Sequence, residues 1–139
     1  MKWEMHDRPG SEEAKAIQEG LTEYNARFFA YNHRDLTLSM RDGEGRIVGG
    51  LVGFTNWGWL YVRLLWVSDE LRSQGWGGRL LAAAEEEACR RGCRGSWLDT
   101  FSFQARAFYE RQGYRVFGEL EQFPQGHTRF YMTKKLQDS

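Results

Sequence analysis

Leu71-Arg-Ser-Gln-Gly-Trp-Gly-Gly-Arg-Leu-Leu81 sets three glycines within four residues directly before an apolar, alanine-rich run. Glycine is a poor helix former, so its concentration at a helix start needs a reason. Upstream, Trp59 to Val67 is apolar at nearly every position, which predicts a strand buried on both faces at the centre of a sheet. Downstream, Leu80, Leu81, Ala84 and Ala88 fall on one side of a helix. Its other side carries Glu86/Arg90 and Glu87/Arg91 four apart, and Gly92 is placed to end it. The stretch is therefore a loop from a central strand into a helix. Free N–H groups and aligned peptide dipoles put about half a positive charge at such an end. A phosphate fits there if no Cβ blocks it. Gly75, Gly77 and Gly78 remove Cβ atoms, while Arg72 and Arg79 add charge at the rim.

Two common phosphate loops are excluded. No Lys-Ser or Lys-Thr follows the glycines, as a P-loop requires. A dinucleotide fingerprint would need glycine where Leu80 stands, and it opens on a first βαβ unit that is missing here. The remaining alternative is a tight strand-to-helix connection with glycines for packing.

With 139 residues, the chain has the size of one ordinary domain, 1–139. A hydrophobic content of 41% excludes a disordered chain. Nineteen basic and nineteen acidic residues balance, which gives no support to a nucleic-acid or membrane-surface binder. The N-terminal MKWEMHDRPG lacks an apolar signal core and no run reaches membrane-spanning length, so a cytoplasmic location is expected. Cys89 and Cys93 have no second Cys/His cluster with them. They read as reduced structural thiols, and no metal site is expected.

Elsewhere, Lys2 to His6 alternates as a short strand. Ser11 is a plausible N-cap with Glu12 and Glu13 in the first turn, and Ala14, Ile17, Leu21, Tyr24 and Phe28 recur at helical spacing. Strands are expected around Leu36 to Met40, over Ile47 to Phe54, over Gly95 to Thr100, over Tyr114 to Leu120 and over Thr128 to Leu136. A short helix holds Ala105, Phe108 and Tyr109 and stops at Gly113. This order predicts an α/β fold of the α+β type, with a mixed, mostly antiparallel central sheet flanked by helices.

Arg72-x-x-Gly75-x-Gly77 resembles the acyl-CoA pyrophosphate loop of the GNAT superfamily of N-acyltransferases, Arg/Gln-x-x-Gly-x-Gly/Ala. Ala105-Arg-Ala-Phe-Tyr-Glu-Arg-Gln-Gly-Tyr114 resembles that family's second signature. The resemblance spans nearly the whole chain, and the two motifs together are far more specific than either alone. It implies acetyl-CoA as cofactor. Backbone from about Gln74 through Gly75, Trp76, Gly77 and Gly78 to Arg79 would hold the pyrophosphate, with Arg72 at the edge. Main chain at Leu65, Trp66 and Val67 would pair with the pantetheine arm, and the thioester would lie where that strand splays from the one ending at Thr100. Tyr109 matches the family's general acid; a phenol is protonated at neutral pH and can hydrogen-bond to sulfur. Many members carry asparagine seven residues before this tyrosine. Here Ser102 stands there, either touching the cofactor arm or capping the helix.

The resemblance implies an N-acetyltransferase whose acceptor, a primary amine of a small molecule in the first reading, attacks the thioester directly. Alternatives are a protein amine as acceptor, or a non-catalytic CoA-binding module. Phe28, Phe29, Tyr31, Asn32 and His33 are candidate acceptor walls, and the Gln122 to His127 loop would border the other side. No carboxylate lies on Trp59 to Val67, which leaves Asp99, His127, a water chain or bulk solvent as candidate bases. A homodimer through an exposed C-terminal strand, Thr128 to Leu136, is an open possibility.

Overall fold

The computed structural model describes residues 1–138. The chain forms two compact units, Met1–Asn32 and His33 onward. The first unit is built on helix α1 (Glu12–Asn25), where the Ser11 hydroxyl accepts the Ala14 N–H at 3.1 Å and Glu12 and Glu13 occupy the first turn. Cap and acids both satisfy the positive helix end. Phe28 lies past the helix, with its ring 5.5 Å from that of Tyr24. Lys2 to His6 forms no strand, contrary to its alternation. Alternation alone does not make a strand, because a strand needs a neighbour to complete its ladder.

The second unit holds β1 (Arg34–Arg41), β2 (Ile47–Asn56), β3 (Trp59–Val67), a 3-10 turn (Asp69–Leu71), α2 (Trp76–Arg90), β4 (Gly95–Phe101), α3 (Arg106–Arg111), β5 (Arg115–Glu121) and β6 (Thr128–Lys135). The six strands run in the order β1-β2-β3-β4-β6-β5, and only β3 and β4 pair in parallel. This is the mixed, mostly antiparallel sheet that the element order predicts. Leu81, Ala84 and Ala88 of α2 pack with Leu36, Leu51, Leu60, Leu98 and Met132 of the strands. Full burial of a leucine such as Leu81 contributes about 1.5–3 kcal/mol. Gly92 takes φ 85° just past α2, and the Cys93 N–H returns to the Ala88 carbonyl at 2.9 Å, which closes the helix end. Glu87 pairs with both Arg91 and Arg90, so the expected Glu86/Arg90 partnership gives way to Glu87/Arg90. Arg91 also donates to the Arg34 and Asp35 carbonyls and to Thr55, which ties the end of α2 to β1 and β2.

Strand β3 is internal but is not buried on both faces. Leu60 and Val62 are buried, whereas Leu64 and Trp66 are exposed. The reason is a bulge: Val52 pairs with Leu64 and Gly53 with Val62, leaving Arg63 as an extra residue. A bulge bends its strand and shifts side-chain parity by one. Inward positions accordingly move from 60 and 62 to 65, where Leu65 packs against the core.

The C-terminal strand also departs from expectation. β6 lies between β4 and β5, hydrogen-bonded on both sides, so it offers no edge for a dimer. The edges of the sheet are β1 and β5. No helix among the described residues is long and apolar enough to cross a membrane.

Candidate active site

The parallel pairing of β3 with β4 runs from Trp59↔Gly95 to Val62↔Leu98 and stops there. β3 continues to Val67 paired only with β2, and β4 continues to Phe101 paired only with β6. Main-chain groups of Leu65, Trp66 and Val67 on the β4 side thus face a gap between diverging strands. An extended ligand can add to such an edge as a further strand. One carbonyl is already engaged, since Arg72 Nε donates to the Val67 oxygen at 3.3 Å.

The glycine loop follows β3. Arg72 turns back onto Asp69 (Nη2 to Oδ1, 3.2 Å), and Gln74 donates to the Glu70 carbonyl at 3.1 Å. Its charge and amide therefore brace the turn. Ser73 and Gly75 both take left-handed backbone, φ 64° and 84°, and Gly75 is the N-cap of α2. The first helical bond runs from the Arg79 N–H to the Gly75 carbonyl at 3.1 Å. No side chain caps α2 and its first turn holds no acid, in contrast with α1. The uncompensated N–H groups of Trp76, Gly77 and Gly78 suit an anion.

The three glycines have two different surroundings. A Cβ on Gly75 would meet no atom within 4 Å, so it would face open space. A Cβ on Gly77 would stand 3.4 Å from Phe108, and one on Gly78 would stand 3.4 Å from Gln112, ordinary van der Waals contact with α3 and its C-cap. Arg79 rests over the Trp76 ring, 4.6 Å from its centroid.

Tyr109 is 8% exposed, edge-on to Phe108 and Tyr114. Burial, with the Asp99 carboxylate adding to it, pushes its phenol up to about 12. The hydroxyl therefore keeps its proton throughout the neutral range. Neighbouring Tyr114 is pushed up still further, mainly by burial; it donates to Glu85, which also binds Lys134, and contacts Ser96 at 2.8 Å.

Ser102 does not cap α3. The N-cap is Ala105, whose N–H goes to the Thr100 hydroxyl at 3.3 Å, and Gln104 accepts the Phe101 N–H at 3.0 Å. Phe103 and Gln104 stand between Ser102 and that cap, and the Ser102 side chain is engaged elsewhere. Instead Ser102 Oγ accepts the Thr128 N–H (3.1 Å) and lies 3.0 Å from His127 Nδ1. His127 in turn sets its ring edge-on to Phe103 at 5.0 Å. Two candidates from either side of the β5–β6 hairpin's approach to β4 are thus brought together.

Along β4, Ser96, Leu98 and Thr100 are buried toward the helices, while Trp97, Asp99 and Phe101 alternate onto the other face. There Asp99 Oδ1 receives Arg129 through Nε (2.9 Å) and Nη2 (2.7 Å), and Oδ2 receives the Tyr61 hydroxyl (3.1 Å). Tyr61 stacks on Trp97 at 4.2 Å and meets Phe54 edge-on at 5.4 Å; His33 stacks on Phe54 at 4.5 Å. Arg129 lies within 4.8 Å of the Phe123 centroid and 5.2 Å of that of Phe101. Of the candidate acceptor walls, His33 belongs to this aromatic row. Phe28, Phe29, Tyr31 and Asn32 belong to the first unit, after α1.

The sequence matches the acetyltransferase (GNAT) family over residues 1–114. The chain belongs to this family. It is 41% identical over 137 residues to an acetyltransferase of Agrobacterium fabrum, covering 98% of this chain and 100% of that protein. It is 45% identical over 94 residues to the blasticidin-S acetyltransferase of Streptomyces morookaense, covering 67% of this chain and 69% of that protein. The crystal structure of a proposed acetyltransferase from Agrobacterium tumefaciens superposes with a TM-score of 0.91 at 40% identity, covering 97% and 99% of the two chains.

In this GNAT acetyltransferase, Tyr61, Trp97 and Arg129 escape sequence reading. Each falls on an ordinary strand position, and only the register Tyr61↔Trp97 and Asp99↔Tyr131 gathers them around one carboxylate. The signal available was the Trp97-x-Asp99-x-Phe101 alternation, which marks a second, polar-aromatic face. Among the described residues no group of three or more His, Cys, Asp or Glu side chains could hold a metal ion.

Proposed function

We propose that the chain transfers an acetyl group from acetyl-CoA to a primary amine of a small molecule. The observation that carries this reading is the splay beyond Val62↔Leu98, flanked by an uncapped α2 and followed by the buried phenol of Tyr109. The residues fit the cofactor. Leu65, Trp66 and Val67 lie beyond the last pairing with β4 and would offer the main chain on that side to an extended arm, and the N–H groups from Gly75 to Gly78, with Arg79 beside them, would hold a pyrophosphate. Arg72 and Gln74 keep that loop in shape, and Ser102 marks the end of β4 where the arm would pass. When bound, acetyl-CoA supplies the activated acyl group.

Tyr109 holds a proton on Oη at neutral pH, which is what a general acid for a leaving thiolate requires. Asp99 has both oxygens engaged, so it organises the acceptor face and leaves base chemistry to other groups. His127 is the remaining candidate base, its Nδ1 being held by Ser102. The aromatic row of Phe54, Tyr61 and Trp97 suits an acceptor with a flat or apolar portion. The 45% identity with blasticidin-S acetyltransferase supports a small molecule over a protein amine.

Incubation with acetyl-CoA and a panel of amines, including blasticidin S and a peptide N-terminus, followed by mass spectrometry, tests the proposal. An acetylated small molecule is the expected product. Acetylation of the peptide alone would overturn the substrate class.

A further inference from the structure

A second cleft lies at the opposite end of β3 from the glycine loop. β3 starts at Trp59 and ends at Val67, a span of roughly 26 Å at 3.3 Å per residue. Pairing across the sheet aligns Trp59 with Gly95 and Gly95 with Lys135; two residues along β4, Trp97 aligns with Thr133 and Thr133 with Arg115. Paired residues put their side chains on the same face, and so do residues two apart on a strand. Trp59, Lys135, Thr133 and Arg115 therefore share one face by register alone.

Gly95 leaves a gap in this row. A Cβ there would approach the Trp59 ring to 2.6 Å, so the indole occupies the space over the glycine backbone. Arg94 is fixed beside it, its N–H donating to the Gly58 carbonyl at 2.8 Å and its carbonyl accepting the Leu136 N–H at 2.9 Å. The result is a cleft of about 340 Å³ lined by Trp59, Arg94, Arg115, Thr133, Lys135, Gln137 and Asp138. That volume lies in the range of small-ligand pockets.

Its charge is unbalanced. Asp138 pairs with Lys135. Neither Arg94 nor Arg115 has an ion-pair partner among the described residues, so beside the Lys135–Asp138 pair the lining carries two further cations. Two such guanidinium groups in one cleft with an indole combine a fork for phosphate oxygens with a stacking surface. We propose that this cleft binds an aromatic phosphomonoester, its ring on Trp59 and its phosphate between Arg94 and Arg115. Two cations in excess suit a dianion, and the distance from the glycine loop makes this site separate from the one that holds CoA.

Calorimetry with phenyl phosphate on the full chain, with CoA present at saturation, tests the assignment. Wild-type protein should bind, and inorganic phosphate should bind about tenfold more weakly because it lacks the ring. Arg115→Gln, at an exposed edge-strand position, should weaken phenyl phosphate about tenfold, as loss of one charged hydrogen-bond donor does. Trp59→Leu should weaken it comparably, and Arg79→Gln, at the glycine loop, should leave it unchanged. Circular dichroism identifies any variant that fails to fold, and Arg115→Gln then decides alone. Absence of binding to wild type, or equal binding by wild type and Arg115→Gln, would overturn the site. Equal affinity for phenyl phosphate and inorganic phosphate would overturn the stacked ring.

Discussion

Val62 and Leu98 are the last residues that pair β3 with β4, and the bulge residue Arg63 follows immediately on β3. One extra residue thus does two things. It bends β3 away from β4, and it turns Leu65 back toward the core so that the bent half remains anchored. The gap that the proposed function needs is a product of strand register.

Tyr109→Phe removes the proposed acid while keeping the ring that packs on Phe108 and Tyr114. The turnover number should fall by about 10²-fold or more, the usual scale for a general acid. CoA affinity measured by calorimetry should stay within about twofold, because the ring contacts survive. A variant as active as wild type would remove Tyr109 from the chemistry.

Alkaline pH gives an independent check on the same phenol. Tyr109 titrates at about 12 in the folded chain against 10.0 for the ordinary side chain. The folded state then binds the proton more tightly than the unfolded state does. Its contribution to stability is intact below pH 10 and disappears as pH rises from 10 to 12. The two-unit difference amounts to about 2–3 kcal/mol. Tyr114, shifted in the same direction, steepens the loss. Urea unfolding at several pH values should show this fall in wild type and a shallower one in Tyr109→Phe.

The glycine positions should separate under substitution. Gly75→Ala places a Cβ in open space but at φ 84°, so about 1–2 kcal/mol of backbone strain is expected. Its main effect should be weaker CoA binding. Gly77→Val pushes on Phe108 and should lower thermal stability as well, since overpacking costs about 1–3 kcal/mol. Melting curves beside CoA titrations distinguish the two. Unchanged CoA affinity in Gly75→Ala would contradict its place at the anion site.

Asp99→Asn leaves the Arg129 guanidinium without its partner in a half-buried setting. A fully buried pair broken this way costs about 3–5 kcal/mol, and the remaining exposure of Arg129 reduces that to about 2 kcal/mol. Replacing both Asp99 and Arg129 should cost less than the sum of the single changes. A double-mutant cycle read by urea denaturation measures the difference, and strict additivity would deny the coupling.

Much of the fold is legible in the sequence because each strand and helix carries its own period and punctuation. Trp59 to Val67 is bounded by Asn56-Trp57-Gly58 and by the glycine stretch, and its ends fall where those signals put them. What is illegible is relational. An all-apolar run has no parity to lose, so nothing in Arg63 announces a bulge. The order β4-β6-β5 is equally hidden, since either strand of the last hairpin could pair with β4. The same limit governs the site. Gly75, Gly77 and Gly78 look alike in sequence, and only the position of α3 shows that two of them face packed side chains while Gly75 faces open space. Ser102 reads as a helix cap until the hairpin loop brings His127 to it.

The most direct measurement of the central claim is thiol release from acetyl-CoA, followed in parallel with acetylated amine, for wild type and Tyr109→Phe at saturating cofactor. The account predicts one thiol per acetylated amine with wild type and a rate about 10²-fold lower with the variant. Tight CoA binding with no thiol released for any amine in the panel would contradict it.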